Sequence, residues 1–172
     1  MRFIGKTGMT LFLLGALAAC KKTDYDVPAQ RTAIENYLRG QQVEYTQQDW
    51  VYKYADPATE EGPVLHRGDS VYFHYSGYLF ASGIGALFTT NIEADAEEAG
   101  FDKTYMDFSP KGILLGDGSV LRGLELGLPG SRPGETVYLF LTPDLAYGED
   151  IVGVVRPGKS VVFKVVIDRV VK

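Results

Sequence analysis

The chain has 172 residues, 45% of them hydrophobic, which suggests one compact domain plus extras and enough apolar material for a core. Its formal charge is −5, and Lys and Arg form no cluster, which argues against a nucleic-acid partner because phosphate neutralisation needs gathered basic side chains. The single cysteine leaves no disulfide within the chain.

In chain order, Arg2 and Lys6 make a short basic region, and Met9 to Leu17 make an apolar run too short to span a bilayer. The run ends in Leu17-Ala18-Ala19-Cys20, which resembles a bacterial lipobox with cleavage after Ala19 and lipidation of Cys20. Residues 1–19 are therefore expected to be a lipoprotein signal peptide. Their loss removes two of the 17 basic residues and no acidic one, so the balance falls from −5 to −7. Anionic headgroups would repel such a surface, and membrane attachment would rest on the acyl chains at Cys20. Lys21 lacks the aspartate that holds some lipoproteins at the inner membrane, which points to the outer membrane of a Gram-negative bacterium.

Residues 20–49 read as a tether followed by one short amphipathic helix. Pro28 suits a helix start, Ile34, Tyr37 and Leu38 recur at helical spacing, and Gly40 supplies a stop. The apolar stripe implies docking, either on the domain itself or on a partner, for instance another envelope protein.

From Trp50 the pattern becomes strand-like, and residues 50–172 form the main domain. Val51–Tyr54, Val71–Ser76 and Glu135–Thr142 are β-rich runs. In the last run Val161, Phe163, Val165 and Ile167 face one way, with Lys164 and Asp168 on the other face beside Val162 and Val166, as in a half-buried antiparallel strand. Val120, Leu124 and Leu128 stand at i, i+4 and i+8 and mark one helix, although Gly123 and Gly127 lower its propensity so that packing must hold it. Ile92–Gly100 is acidic and Ala-rich and reads as a solvated helical or loop insertion. The sum is an α+β fold, an antiparallel sheet with one helix laid across it.

Five stretches in order and spacing resemble the FKBP family over about Trp50 to Lys172. They are Val71-Tyr72-Phe73-His74-Tyr75-Ser76-Gly77, Gly85 to Thr90, Leu115-Gly116 through Val120 to Gly127, Pro143-Asp144-Leu145-Ala146-Tyr147-Gly148, and Val155-Arg156-Pro157 before the last strand. The resemblance implies a twisted antiparallel sheet wrapped around one short helix, and peptidyl-prolyl cis-trans isomerase activity on proline-containing polypeptides. It also implies a pocket lined by Tyr75, Phe88, Val120, Leu121, Tyr147, Val155 and Phe163. Tyr147, Phe163, Tyr75 and Phe88 would carry catalysis, with the Tyr147 hydroxyl and the Leu121 backbone N–H donating to substrate carbonyls.

The chain departs from the family pattern at Thr89, where an aspartate is usual, and at Leu124, where a tryptophan forms the pocket floor. Both remain candidate substrate contacts. Leu145 replaces a tyrosine, and Lys111-Gly112-Ile113 replaces an F-x-F wall, with Phe108 the candidate substitute after a loop shift. Thr89 and Leu124 support an alternative reading as a catalytically weak FKBP-like binding or chaperone module; the retained aromatics favour the isomerase, which would assist folding of exported proteins in the cell envelope.

Other chemistries fail on inventory, and no cofactor or metal is expected. His66 and His74 lie eight residues apart with no cysteine in the mature domain to join them, where zinc needs three or four ligands, and no Gly-x-Ser-x-Gly elbow occurs. Gly83-Ile84-Gly85 lacks the third glycine of a dinucleotide loop and reads as a turn. Gly116-Asp117-Gly118-Ser119 has too few oxygens for calcium, leaving Ser119 as the expected helix cap.

Overall fold

The computed structural model describes residues 25–57 and 62–172, so Cys20 and the expected signal peptide lie outside the described residues. The first element is α1, Val27–Gln41. The Asp26 carboxylate caps it by accepting the Ala29 N–H at 2.9 Å, and Pro28 sits in the first turn where no donor is missed. Gly40 does not stop this helix. It lies inside the last turn, and Gln42 closes the helix in the left-handed conformation at φ 57°, its N–H donating to the Arg39 carbonyl.

A hairpin of β1, Thr46–Gln48, and β2, Val51–Asp56, follows. Asp49 and Trp50 form its two-residue turn with φ of 50° and 65°, the positive pair that a type I′ hairpin demands. The strand after the turn starts at Val51, where the expected β-rich run starts, and the Arg31 guanidinium covers the Trp50 ring at 3.9 Å.

The remaining strands are β3, Ser70–Phe80, β4, Ile84–Thr90, β5, Lys111–Leu114, β6, Thr136–Leu141, and β7, Ser160–Val171. They join the hairpin in one antiparallel sheet ordered β1-β2-β6-β7-β3-β4, with β5 paired to the first half of β3. Two short helices connect strands: α2, Glu93–Glu98, and α3, Arg122–Gly127.

One face of the sheet carries the main core. Val161, Phe163, Val165 and Ile167 of β7 point into it with Val137, Leu139 and Leu141 of β6, and Leu124 and Leu128 close it from the α3 side. Gly123 and Gly127 make that approach possible. A Cβ on Gly123 would stand 2.4 Å from Leu141, and one on Gly127 would stand 2.7 Å from Leu139. The low helix propensity of this segment is thus offset by packing, as its glycine content requires. Ser119 does not cap α3; Leu121 holds the N-cap position, and the Ser119 N–H donates to Asp117 at 2.8 Å.

The opposite face is covered as well. Ile34 and Leu38 of α1 are fully buried against Tyr52, Phe80, Phe140 and Val162. The amphipathic stripe therefore docks on its own domain, and β7 is buried on both faces along this stretch rather than half-buried. Further along, α2 covers the same outer face. Its Ala96 is fully buried, and Asp95 accepts from Lys164, Ser76 and Tyr78. The acidic insertion is a docked helix, not a merely solvated one.

Candidate active site

Alternation along β3 sends Val71 and Phe73 to the main-core face and, with them, Tyr75 and Gly77. Gly77 pairs with Phe163 on one side and with Thr89 on the other. Its missing side chain matters, because a Cβ there would lie 2.8 Å from the Phe88 ring and 3.0 Å from the Phe163 ring. The two rings instead meet edge to face, centroids 6.0 Å apart at 85°. Phe88 reaches that spot through a bulge: Gly77 pairs with Thr89 and Tyr78 with Leu87, leaving Phe88 unpaired between them.

A cavity of about 320 Å³ opens where β3, β5, β7 and the start of α3 converge. Phe73 and Tyr75 line it from β3, Phe163 from β7, and Lys111 from β5. Ser119, Val120, Leu121 and Leu124 line it from the α3 side, and Tyr147 completes the wall. Tyr147 is held by a tight fold of its segment. After the 3₁₀ turn Pro143–Leu145, Gly148 takes φ 57° and donates its N–H back to the Pro143 carbonyl at 2.8 Å. The Tyr147 ring then meets Phe88 edge-on at 6.0 Å, while Tyr75 meets Phe163 at 6.3 Å and Phe73 at 6.1 Å.

Of the residues expected at the site, Tyr75, Val120, Leu121, Leu124, Tyr147 and Phe163 line this one cavity. Phe88 stands behind it, in ring contact with both Tyr147 and Phe163. Thr89 lies across from Gly77, and Val155 is fully buried in the core beneath; neither lines the cavity. Phe108 does not replace the missing wall aromatic. It lines a separate cavity with His74, Asn91, Ile92 and Val166, whose strand positions put it on the other face of the sheet. Lys111 occupies the wall instead. Phe73, Lys111 and Ser119 were not among the expected lining residues; Lys111 joins them because β5 pairs with β3 in the register that sets it opposite Phe73.

The polar groups in the cavity are few. Among the described residues nothing pairs with the Tyr147 hydroxyl or with the Leu121 N–H. Burial pushes the Tyr147 hydroxyl above the ordinary tyrosine range, and the neighbouring Tyr75 hydroxyl adds to this, so Tyr147 is a standing donor at neutral pH. No group of three or more His, Cys, Asp or Glu that would hold a metal occurs among the described residues. Such a site offers largely apolar and aromatic walls, with donors at the Tyr147 hydroxyl, the Leu121 N–H and the Lys111 ammonium, and no hydrogen-bonded nucleophile–base pair among the described residues. It suits binding and desolvation of an amide rather than bond cleavage.

The comparisons with known proteins point the same way. The family model described as FKBP-type peptidyl-prolyl cis-trans isomerase matches residues 62–168. The chain is 34% identical over 110 residues to FK506-binding protein 2B of Rhizopus delemar, covering 63% of this chain and 46% of that protein. It is 35% identical over 99 residues to peptidyl-prolyl cis-trans isomerase FPR2 of Saccharomyces cerevisiae, covering 57% of this chain and 62% of that one. The chain thus spans about half to less than two thirds of these curated relatives. The crystal structure of FkpA from Escherichia coli superimposes with a TM-score of 0.58 at 22% identity, covering 83% of this chain and 59% of that chain, a likeness of fold. From Gly62 to Asp168 the motif order, the cavity and the family match coincide, and the chain belongs to the FKBP-type peptidyl-prolyl cis-trans isomerase family.

Proposed function

We propose that this chain accelerates cis–trans isomerisation of X-Pro bonds in polypeptides. The observation that carries the reading is the Tyr147 hydroxyl, unpaired among the described residues, in a cavity walled by Phe73, Tyr75 and Phe163. An X-Pro amide resists rotation because its C–N bond has partial double-bond character, with a barrier of about 18–20 kcal/mol. Rotation removes that resonance and lowers the negative charge on the carbonyl oxygen. An apolar cavity that strips water from the carbonyl therefore disfavours the planar amide relative to the twisted one. Tyr147 and the Leu121 N–H would hold flanking carbonyls, fixing the peptide in a bent geometry. Each ~1.4 kcal/mol removed from the barrier is worth about tenfold in rate. A prolyl-peptide isomerisation assay on the purified protein tests the reading: acceleration is expected, and a folded protein with no effect on any proline peptide overturns it.

The setting we propose is the cell envelope, with exported polypeptides as substrates and Cys20 as a lipid anchor in the outer membrane. The run Leu17–Cys20 and the absence of any other cysteine support this. Replacing Cys20→Ser should release the protein from the membrane fraction or leave it unprocessed. Wild-type protein that is not in the membrane fraction and carries no acyl mass would defeat the anchor.

A further inference from the structure

Lys111 is the one charged side chain lining the cavity among the described residues. Its position follows from register. In the antiparallel pairing of β3 with β5, Lys111 stands directly opposite Phe73, and Ile113 stands opposite Val71. Directly opposed residues share a face of the sheet. Phe73, Val71 and Ile113 are buried on the core face, so Lys111 points the same way, one step further out at the cavity mouth. It is exposed, and it makes no hydrogen bond or ion pair among the described residues. Lys103, Lys164 and Lys172, by contrast, each hold a carboxylate.

The carboxylates nearest in sequence to the opposite wall are already engaged. Asp117 accepts from the Ser119 N–H at 2.8 Å, and Glu125 accepts from the Gly118 N–H at 3.1 Å. The remaining cavity walls are apolar, aromatic or hydroxyl-bearing. A cation therefore stands at the mouth of an otherwise uncharged cavity, on a protein whose formal charge is −5.

We propose that Lys111 is a specificity-determining residue, which makes the cavity select proline peptides with an Asp or Glu next to the proline. This rests on the isomerase reading above. An extended chain advances at most about 3.3–3.6 Å per residue, so a carboxylate one residue from a seated proline lies within reach of a lysine at the cavity mouth. A half-exposed ion pair of this kind is worth roughly a fivefold preference at most.

The test compares paired peptides that differ only as Glu-Pro against Gln-Pro, and Pro-Glu against Pro-Gln, with the full chain. Gln keeps the shape of Glu, so the ratio of kcat/KM within a pair isolates the charge and cancels any general loss of activity. Wild type should favour the acidic member of at least one pair by about three- to fivefold, less at high salt because screening weakens exposed pairs. Lys111→Met should bring that ratio to about one, Lys111→Glu should invert it, and Lys111→Arg should keep it. A wild-type ratio at or below one, or a ratio unchanged in Lys111→Met, overturns this inference while leaving the isomerase reading intact. If no peptide is accelerated, the isomerase reading falls instead, and the same ratios measured as peptide affinities by NMR titration decide the role of Lys111.

Discussion

Asp95, carried by the insertion helix α2, grips Lys164 of the central strand β7 through both carboxylate oxygens, each 3.0 Å from Nζ. Ser76 and Tyr78 of β3 donate to the same carboxylate. Burial alone would raise the Asp95 pKa, but the Ser76 hydrogen bond, Lys164 and Tyr78 together outweigh it and hold the carboxyl below its ordinary value. A depressed carboxylate contributes stability that is fully present above the unfolded value, about 3.9, and is lost as pH falls through the lower folded one. Asp95→Asn should therefore cost about 2–3 kcal/mol at pH 7, because Lys164 keeps a partly buried charge without a partner. The gap between variant and wild type should close in acid. Urea unfolding at pH 7 and pH 3 checks both statements.

Phe163 and Tyr147 should separate stability from catalysis. Phe163 is only 3% exposed and touches Tyr75 and Phe88, so Phe163→Ala should lose activity and about 3–5 kcal/mol of fold stability. Tyr147→Phe keeps the ring, and its hydroxyl leaves no described partner behind. It should lower kcat while moving stability by less than about 1 kcal/mol. Paired activity and thermal melts would show this contrast, and equal losses of stability in the two variants would contradict it.

The catalytic rate should be nearly flat between about pH 6 and 8, since unperturbed tyrosine titrates near 10 and Tyr147 is pushed above that. His74 lies on the outer face of the sheet beside Asn91, and His66 sits at the surface beside Asp69 and Lys172. Neither lines the cavity. A bell-shaped profile of kcat/KM would mean acid–base chemistry and contradict the desolvation mechanism.

Two glycines should respond in opposite directions to alanine. Gly123→Ala gains helix propensity but forces a Cβ to within 2.4 Å of fully buried Leu141, for a net loss of about 1–2 kcal/mol. Gly40→Ala meets nothing within 4 Å in α1 and should stabilise by roughly 0.5–1 kcal/mol. Thermal denaturation of the two variants measures the split.

The cavity was legible where side-chain type and strand alternation decide position. Period two puts Phe163 on the inward face of its strand and helical spacing puts Leu124 on the inward face of its helix, while the family resemblance is what marks Tyr75, Tyr147 and Phe163 as cavity residues. What escaped depended on relations between strands. The bulge that turns Phe88 inward is a register slip between β3 and β4, invisible in either strand alone. Lys111 enters the wall only because β5 pairs with β3, and Phe108 leaves it because its segment runs to the opposite face. Gly40 looked like a stop because composition names residues able to take a left-handed turn, not the one that takes it; Gln42 does. The insertion looked solvated because Asp95 is acidic, and its partner Lys164 lies 69 positions away.

The β1–β2 hairpin and α1 cover one edge and one face of the sheet. Every residue lining the cavity comes from Phe73 onward, so a chain starting at Gly62 would keep the whole chemical site. It would lose β2, whose residues from Tyr52 to Asp56 pair with β6 from Phe140 to Thr136. An interior strand would become an open edge of unpaired amides, flanked by Tyr138 and Phe140 stripped of their cover. Such an edge templates strand addition from a second molecule. The N-terminal stretch thus closes a sheet edge, for a site to which it contributes no atom, and a chain cut at Gly62 should aggregate more readily than the full chain in a light-scattering measurement.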